Sequence, residues 1–422
     1  MPTLSDKLKS LGVKVGTADI QPKTGSQASV LSQPPDNLEV VLHGRRLETH
    51  IGETFIVEQI LPVGSPYGGS LLQLTAPLDA ISIWVGDERL RYLPPEGFAF
   101  LDTETTGLSG GAGTYAFLIG VGKYEGDRFH LAQFFMRDPS EEPAQLAALE
   151  EFLSPCQALV TYNGKAFDIP LLVARYITHG LQVPFSDYAH IDLLHLSRRL
   201  WRDRLPSRTL GNVEAQILRA IRTEQDVPGW MIPQMYFDFL RSGDAEPMRS
   251  VFYHNAMDVI SLAVLLDHTA GLVSDPLRGE IEHGVDLIAL ARLHEDMGNL
   301  DLASRLYSHG LHHVDALEQR MPEEVYLQGV ARLAAIHKRS ENLQAAIALW
   351  EEAAQHRHIL SHIELAKVYE HRLRDYQQAI YWTRMAIELV SSPGFSRYEH
   401  KFWMVELEHR LERLIRKLDN HG

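Results

Sequence analysis

Four acidic residues in three separate segments of the chain have the types and spacing expected of a single metal site. Asp102 and Glu104 follow an apolar run in FAFLDTETTG, Asp168 lies in TYNGKAFDIPLL, and Asp258 lies in YHNAMDVISL. Gathered carboxylates are unstable unless a cation neutralises them, and their oxygen atoms suit Mg²⁺ or Mn²⁺ better than zinc. The pattern therefore indicates a centre for two metal ions, of the kind that hydrolyses phosphodiester bonds.

Each acidic motif alone has an ordinary structural explanation. Asp102 and Glu104 are two residues apart on a predicted strand, so their side chains leave the same face of the sheet, but acidic residues also commonly end strands. Asp168 enters a predicted helix, where a carboxylate in the first turn complements the helix dipole. Only the three motifs in combination favour a metal site over these explanations.

His254 is the candidate general base, and Glu104 is the second candidate for a catalytic role. His254 lies four residues before Asp258, and on a helix this spacing puts both side chains on one face. A histidine side chain titrates near neutral pH and can take a proton from an attacking water molecule. A histidine beside an aspartate is also commonly a structural hydrogen-bonded pair. Tyr253 should point elsewhere, because it lies about 140° around the helix from Asp258.

Three polar residues next to the acidic motifs are candidate substrate contacts: Thr105, Asn163 and Lys165. Lys165 could neutralise a substrate phosphate, although a lysine at such a position is more often simply exposed to solvent. Asn163 is also a frequent type of turn residue. Their assignment as substrate-binding residues therefore depends on the metal site.

Length and composition limit the classes of protein that remain. A chain of 422 residues predicts two or three domains. A single cysteine, Cys156, excludes an internal disulfide framework and favours a reducing cytoplasm. The N-terminus lacks the apolar core of a secretory signal, and we expect no membrane-spanning segment. The net charge of −15 counts against a protein that coats nucleic acid over its whole surface.

One segment reverses the acidic trend. The segment from Asp192 to Arg222 contains seven arginines: Arg198, Arg199, Arg202, Arg204, Arg208, Arg219 and Arg222. These arginines indicate either a nucleic-acid contact surface or a solvated helix face with its loop, and composition does not choose between the two.

The first half of the chain divides into three predicted parts. Residues 1–35 are rich in Gly, Ser, Pro, Lys and Gln and predict a flexible lead-in. Residues 36–96 predict a small β-rich extension, with LEVVL, ETFIVEQIL and ISIWV as strands. Residues 97–274 predict an α/β domain: two strands around the turn SGGAG, a third strand RFHLAQFFM, then the helix EEPAQLAALEEFL, the strand ALVTYN, and helices that include HIDLLHLSRRLW.

The last part, 280–420, is predicted to be helical and repetitive. ALARLHEDMGNLDLASRLY aligns with RLAAIHKRSENLQAAIALW at an offset of 43 residues, and ELAKVYEHRLRDYQQAIYW gives a third copy. The copies share small residues at equivalent positions, Ala303, Ala346 and Ala379, with aromatic residues nearby. This pattern is similar to that of tetratricopeptide-type repeats, and an ordinary helical bundle is the alternative.

The motifs carry a more specific resemblance. In order and approximate spacing, LDTETTGL, TYNGKAFDIPLL and HNAMDVISL resemble the three exonuclease motifs of the DEDD superfamily of RNase H-like 3′–5′ exonucleases. The intervening GGAGTYAFLIGVGKYEGDRFHLAQFF and IDLLHLSRRLW are most similar to the YprB-type branch, whose members can carry C-terminal tetratricopeptide repeats. The resemblance covers roughly 97–274. It implies an α/β RNase H-like domain, with a mixed sheet flanked by helices, between a β-rich extension and an all-α repeat domain.

The resemblance also implies a function. Asp102, Glu104, Asp168 and Asp258 would hold two Mg²⁺ or Mn²⁺ ions, and His254 would take the place of the general base. The substrate would be DNA or RNA, at single-stranded ends, with a protein partner for the repeats and no membrane. One departure is that the family's subgroups place a histidine five residues, or a tyrosine four residues, before the last aspartate. Two other functions stay open: a catalytically inactive nucleic-acid-binding scaffold, and an RNase H-like endonuclease.

Overall fold

The computed structural model of the protein describes residues 38–107, 113–278, 281–312 and 321–420. The predicted flexible lead-in, 1–35, and residues 109–112 of the predicted glycine-rich turn lie outside these ranges.

Seven strands form one mixed sheet. In order across the sheet they are β1 (Arg45–Glu48), β2 (Glu53–Pro62), β7 (Arg128–Phe135), β6 (Ala116–Glu125), β5 (Phe98–Thr105), β8 (Ala158–Thr161) and β9 (Ala189–Asp192). Neighbours from β1 to β5 are antiparallel, whereas β8 and β9 run parallel to β5. A separate hairpin consists of β3 (Ser65–Tyr67) and β4 (Ser70–Leu72). The sheet confirms the predicted RNase H-like arrangement of antiparallel strands followed by a parallel one.

Helices cover both faces of this sheet. Those of the first half are α1 (Leu38–Leu42), α2 (Asp79–Val85), α3 (Glu142–Leu153), α4 (Asp168–Thr178), α5 (Leu193–Trp201), α6 (Leu210–Val213), α7 (Ile232–Ser242) and α8 (Met248–Ser274). Along β5, Phe98 and Phe100 share a core with α8, whereas Ala99 and Leu101 share a core with α3 and α4. Because side chains alternate along a strand, Asp102 and Glu104 continue the face that α8 covers.

Three local assignments from the sequence were wrong. LEVVL forms α1 and ISIWV lies in α2, because a short apolar run does not distinguish a strand from one buried turn of helix. HIDLLHLSRRLW, predicted as one helix, begins as the end of β9, and its helix starts only at Leu193. The Asp192 side chain accepts a hydrogen bond from the backbone N–H of Leu194 and so caps that helix.

The N-terminal extension is continuous with the main sheet. β2 pairs with β7 from Phe55 to Pro62, and β1 adds one more strand at the edge. The sequence identified β2 as a strand but gave no partner for it, because its pairing spans more than 60 residues of chain.

The α8 helix contradicts the expectation that no stretch is apolar enough to span a membrane. By length and composition it could do so, but 67% of its most apolar stretch is buried inside the protein. Its residues form the core against β5 and β6, so its apolar character matches that of a central core helix.

The second half of the chain is helical throughout its described residues. Its helices are α9 (Gly284–Asp296), α10 (Leu300–Leu311), α11 (Glu323–Arg339), α12 (Leu343–Gln355), α13 (Ile359–Val368), α14 (Tyr376–Ser391) and α15 (Arg397–Asp419). The side chains of Asn299, Asn342 and Asp375 cap α10, α12 and α14 in the same way. The alanines at equivalent positions in these helices, Ala303, Ala346 and Ala379, are all fully buried. The sequence repeat therefore corresponds to repeated helix pairs.

Candidate active site

Asp102 is oriented by a buried asparagine that the sequence analysis did not single out. Asp102 lies opposite Gly120 of β6, which lies opposite Gln133 of β7. Asn255 of α8 packs over Gly120, where any Cβ atom would overlap its amide. Asn255 Nδ2 donates to Asp102 Oδ2 at 2.9 Å, and Gln133 Nε2 donates to Asn255 Oδ1 at 2.9 Å. The missing side chain at Gly120 thus allows α8 to hold the Asp102 carboxylate.

Asp168 reaches β5 from the opposite face of the sheet. It is the first residue of α4, and its Oδ1 atom accepts a hydrogen bond from Thr103 Oγ1 at 2.5 Å. The turn before it is held by Asp192, which is 1% exposed and accepts hydrogen bonds from the backbone N–H groups of Asn163 and Lys165 at 2.8 and 3.1 Å. The end of β9 therefore shapes the second acidic motif.

Asp258 and His254 lie one turn apart on α8, as predicted. His254 Nε2 is 3.7 Å from Asp258 Oδ2, and His254 Nδ1 is 2.7 Å from Asp226 Oδ1. The other oxygen of Asp258 accepts a hydrogen bond from Arg222. Tyr253 points away from these groups, and its hydroxyl accepts a hydrogen bond from the backbone N–H of Thr223.

Arg222 is the centre of a buried ion-pair network. Its Nε atom donates to Glu214 Oε2 at 2.8 Å. Glu214 is 1% exposed and also accepts hydrogen bonds from Ser261 at 2.6 Å and from Tyr67 in the β3–β4 hairpin. Burial lowers the pKa of the Arg222 guanidinium, but the charges of Asp258 and Glu214 outweigh this effect and raise the pKa above its ordinary value. Arg222 therefore stays charged.

The acidic residues repel one another electrostatically. Burial raises the pKa of the Asp102 carboxyl well above its ordinary value, and the charge of Asp258 raises it further. The same two causes raise the pKa of Glu104. Burial also raises the pKa of Asp168, although the hydrogen bond from Thr103 opposes this. A divalent cation would relieve the strain of gathering these carboxyl groups.

The four predicted ligands are chemically suited to Mg²⁺ or Mn²⁺, because these ions prefer oxygen ligands such as carboxylates. Among the described residues, however, no three His, Cys, Asp or Glu side chains converge as a metal-binding group. Asp258 is turned towards Arg222, and Asp168 is turned towards Thr103. Glu104 accepts no hydrogen bond from the part of the chain that the structure describes. One oxygen of each of the Asp258 and Asp168 carboxylates is therefore engaged in a hydrogen bond within the protein.

A cavity of 720 Å³ opens beside Asp258, whereas the other three predicted ligands, Asp102, Glu104 and Asp168, lie outside its lining. Its lining includes the charged or titratable residues Glu214, Arg222, Asp226, His254 and Asp258, together with Thr209, Ile221 and Gly229. Ile221 is 91% exposed, and Trp230, which follows Gly229, is 81% exposed. Exposed aromatic and apolar side chains beside a polar cleft suit stacking against unpaired nucleobases.

The three predicted substrate contacts lie outside the lining of this cavity. Thr105 donates to the carbonyl oxygen of Gly107 at 3.1 Å. Asn163 adopts a left-handed conformation with φ of 68°, which suits its role as a turn residue. The Lys165 side chain is exposed. Their contact with a substrate stays a prediction.

Most of the arginine-rich segment is engaged within the chain. Its ion pairs with the start of the helical half are Arg204 with Asp286 at 3.1 Å, Arg219 with Glu282 at 2.5 Å, and Arg199 with Asp296. These arginines therefore join the α/β half to the helices. Arg222 differs from them because it points into the acidic cleft.

Comparison with known proteins agrees with this architecture. Residues 99–270 match the RNase H superfamily. YprB of Bacillus subtilis (strain 168), an uncharacterised protein, is 32% identical over 316 residues, which cover 72% of this chain and 73% of YprB. This chain belongs to the YprB family of RNase H-like proteins. The RNase H superfamily domain indicates a nuclease with a nucleic-acid substrate, and RNase H-like nucleases generally use divalent metal ions.

Asn255, Glu214 and Asp226 were not predicted from the sequence, and Arg222 was predicted only as part of the basic segment. Asn255 had a signal, because it lies three residues before Asp258 and so near the same helical face. Glu214 and Asp226 had none, since they lie 44 and 32 residues before Asp258, respectively, in segments without a motif.

Proposed function

We propose that this protein is a metal-dependent 3′–5′ exonuclease that hydrolyses phosphodiester bonds at the ends of DNA or RNA. The observation that carries the proposal is the proximity of the four predicted ligands at the end of β5. Asn255 of α8 donates to Asp102 on β5, Asp258 lies about one turn further along α8, and Thr103 of β5 donates to Asp168. In agreement with this arrangement, the charges of Asp258 and Asp168 raise the pKa of both Asp102 and Glu104.

The four carboxylates Asp102, Glu104, Asp168 and Asp258 would hold two Mg²⁺ or Mn²⁺ ions. Such ions, when bound, lower the pKa of a water molecule and stabilise the leaving oxygen. Glu104 is the ligand that needs least rearrangement, because its carboxylate has no hydrogen-bond donor among the described residues.

His254 is the proposed general base. A neutral imidazole carries one proton, and the carboxylate of Asp226 at 2.7 Å favours that proton on Nδ1. Nε2, on the side of Asp258, is then free to accept a proton from the attacking water. The spacing of four residues supports this role despite its departure from the family pattern, since both side chains line the same cavity.

Unpaired ends are the proposed substrate, with Thr105, Asn163 and Lys165 as further contacts. The exposed Ile221 in the cavity lining, and the exposed Trp230 that follows Gly229 of the lining, support this preference. A base can stack on such a side chain only when it is unpaired. We further propose that the helix pairs of 280–420 are tetratricopeptide-like repeats that bind a protein partner in the cytoplasm. The repeated caps at Asn299, Asn342 and Asp375 support the repeat assignment.

A nuclease assay tests the proposal. End-labelled single-stranded DNA, single-stranded RNA, duplex and hybrid substrates are incubated with Mg²⁺ or Mn²⁺ and the purified full-length protein. We expect mononucleotides released from the 3′ end, and no hydrolysis by Asp102→Asn. Asp238→Asn is the matched control, because this carboxylate lies on α7, is exposed and forms its ion pair with the neighbouring Arg241.

The products separate the competing functions. Internal cuts would identify an endonuclease, and release from the 5′ end would overturn the proposed polarity. No turnover with either ion, or full activity of Asp102→Asn, would overturn the metal-dependent mechanism and favour a nucleic-acid-binding scaffold.

A further inference from the structure

Arg222 occupies the position of a cation in the acidic cleft. Its guanidinium donates to Asp258 and to Glu214, and its Nη1 atom lies 3.6 Å from Asp226 Oδ2 and 3.4 Å from His254 Nδ1. Its side chain is only 12% exposed. Three carboxylates therefore surround one arginine.

The contact with Asp258 competes with metal binding. Asp258 Oδ1 accepts from Arg222, so a metal ion bound by this carboxylate would lie next to the positive guanidinium and be repelled by it. If the Asp258–Arg222 contact broke and no other cation took the place of Arg222, the Asp258 carboxylate would be repelled by the charges of Asp102 and Glu104. Release of Arg222 is thus favourable only when another cation arrives.

Glu214 keeps Arg222 in the cleft after such a release. Glu214 Oε2 lies 2.8 Å from Nε and 2.6 Å from Nη2 of Arg222, and Ser261 and Tyr67 hold its other oxygen. A guanidinium has five N–H donors, so the two bonds to Glu214 leave others directed towards the cavity that Arg222 lines. Arginine in a confined polar cleft binds phosphate oxygens strongly.

We propose that Arg222 is the phosphate-binding residue of this cleft, and that it is held on Asp258 until a metal ion takes that carboxylate. The inference rests on the proposed metal site. Under this proposal each ligand raises the affinity for the other. The ion releases Arg222 from Asp258 so that it can bind phosphate, and the bound phosphate stabilises the released arginine.

The experiment measures two equilibria on the full-length protein and does not use turnover. Mn²⁺ alone is titrated and followed by electron paramagnetic resonance, and thymidine 5′-monophosphate is titrated at saturating Mn²⁺ by calorimetry. This nucleotide carries the phosphate and has no phosphodiester bond to hydrolyse. We expect Arg222→Gln to bind Mn²⁺ roughly tenfold more tightly than wild type, since a charge-assisted hydrogen bond no longer competes. We expect it to bind the nucleotide roughly tenfold more weakly.

Arg202→Gln is the control of equal charge change, because Arg202 is 66% exposed and pairs with the adjacent Asp203. It should change neither affinity. Arg222→Gln leaves the buried Glu214 without its arginine and could fail to fold for that reason. The double variant Arg222→Gln with Glu214→Gln removes both charges. Its affinities for Mn²⁺ and for the nucleotide then test the proposal in the same way.

The outcomes separate this inference from the proposed function. Unchanged or weaker Mn²⁺ binding by Arg222→Gln would overturn the competition with metal and leave the exonuclease proposal intact. Unchanged nucleotide binding would overturn the phosphate role of Arg222. Absence of Mn²⁺ binding in wild type and in Arg222→Gln would overturn the metal site itself, and with it both proposals.

Discussion

The Nδ1 atom of His254 lies 2.7 Å from Oδ1 of Asp226, a residue outside all three acidic motifs. The contact joins α8 to a loop 28 residues earlier in the chain. A carboxylate at Nδ1 fixes the ring orientation and favours one tautomer. The ring nitrogen that faces Asp258 is then the one available to react.

Asp226→Ala should lower kcat about 10- to 100-fold, the usual effect of losing a residue that orients a catalytic side chain. KM should change less than kcat, because Asp226 lies closer to His254, at 2.7 Å, than to Arg222, at 3.6 Å. Steady-state kinetics on a labelled oligonucleotide measure both parameters. Glu224→Gln, an exposed substitution in the same loop, should leave them unchanged. An unaltered kcat in Asp226→Ala would show that Asp226 does not support His254.

Gly120→Ala should destabilise the protein by about 1–3 kcal/mol, as expected when a methyl group is forced into a filled core. The added Cβ overlaps the Asn255 amide, so the variant should also lose activity through misplacement of Asp102. Urea unfolding and the nuclease assay measure the two effects. Gly52→Ala is the matched control, because its Cβ would meet only Ala144 Cβ at 3.8 Å. Equal stabilities of the two variants would contradict the packing of α8 over Gly120.

Arg199→Gln should change neither nucleic-acid affinity nor its dependence on salt. Arg199 pairs with Asp296 of α9, whereas an arginine bound to phosphate would contribute about one unit to the slope of log affinity against log salt. Fluorescence anisotropy with a labelled oligonucleotide at several salt concentrations gives this slope. A reduced slope in Arg199→Gln would show that Arg199, and with it the arginine-rich segment, contacts the nucleic acid.

Glu370 should make the helical half sensitive to acid. Burial raises the pKa of the Glu370 carboxyl, but hydrogen bonds from Arg413 and Lys417 outweigh burial and lower the pKa to about 2. The folded-state pKa is thus below the unfolded value near 4.5. The stabilisation is complete above pH 4.5 and is lost as pH falls towards 2.

Glu370→Gln should therefore lower the free energy of unfolding most at neutral pH, and the difference from wild type should shrink between pH 4.5 and 2. Urea unfolding across this range measures it. Glu388→Gln, an exposed substitution on α14, should show no such trend. A difference that does not vary with pH would mean that the ion pairs of Glu370 contribute little.

The sequence alone determined most strands of the sheet and the order of the motifs. Alternating or continuous apolar runs identified β2, β5, β6, β7 and β8, because buried strands need apolar side chains at a fixed period. The family resemblance gave the RNase H-like fold, and the repeat of Ala303, Ala346 and Ala379 gave the helix pairs. The spacing of Asp102, Glu104 and Asp258 was readable, since each motif is local in the chain.

Tertiary structure alone decided how the side chains of the site are held. Asn255 reaches Asp102 across 153 residues of sequence, and Arg222 reaches Asp258 across 36. The short strand β9 is recognisable only through its pairing with β8. These contacts exist because α8 packs on the sheet and brings separate segments together, and no local pattern records which distant side chain fills a given space.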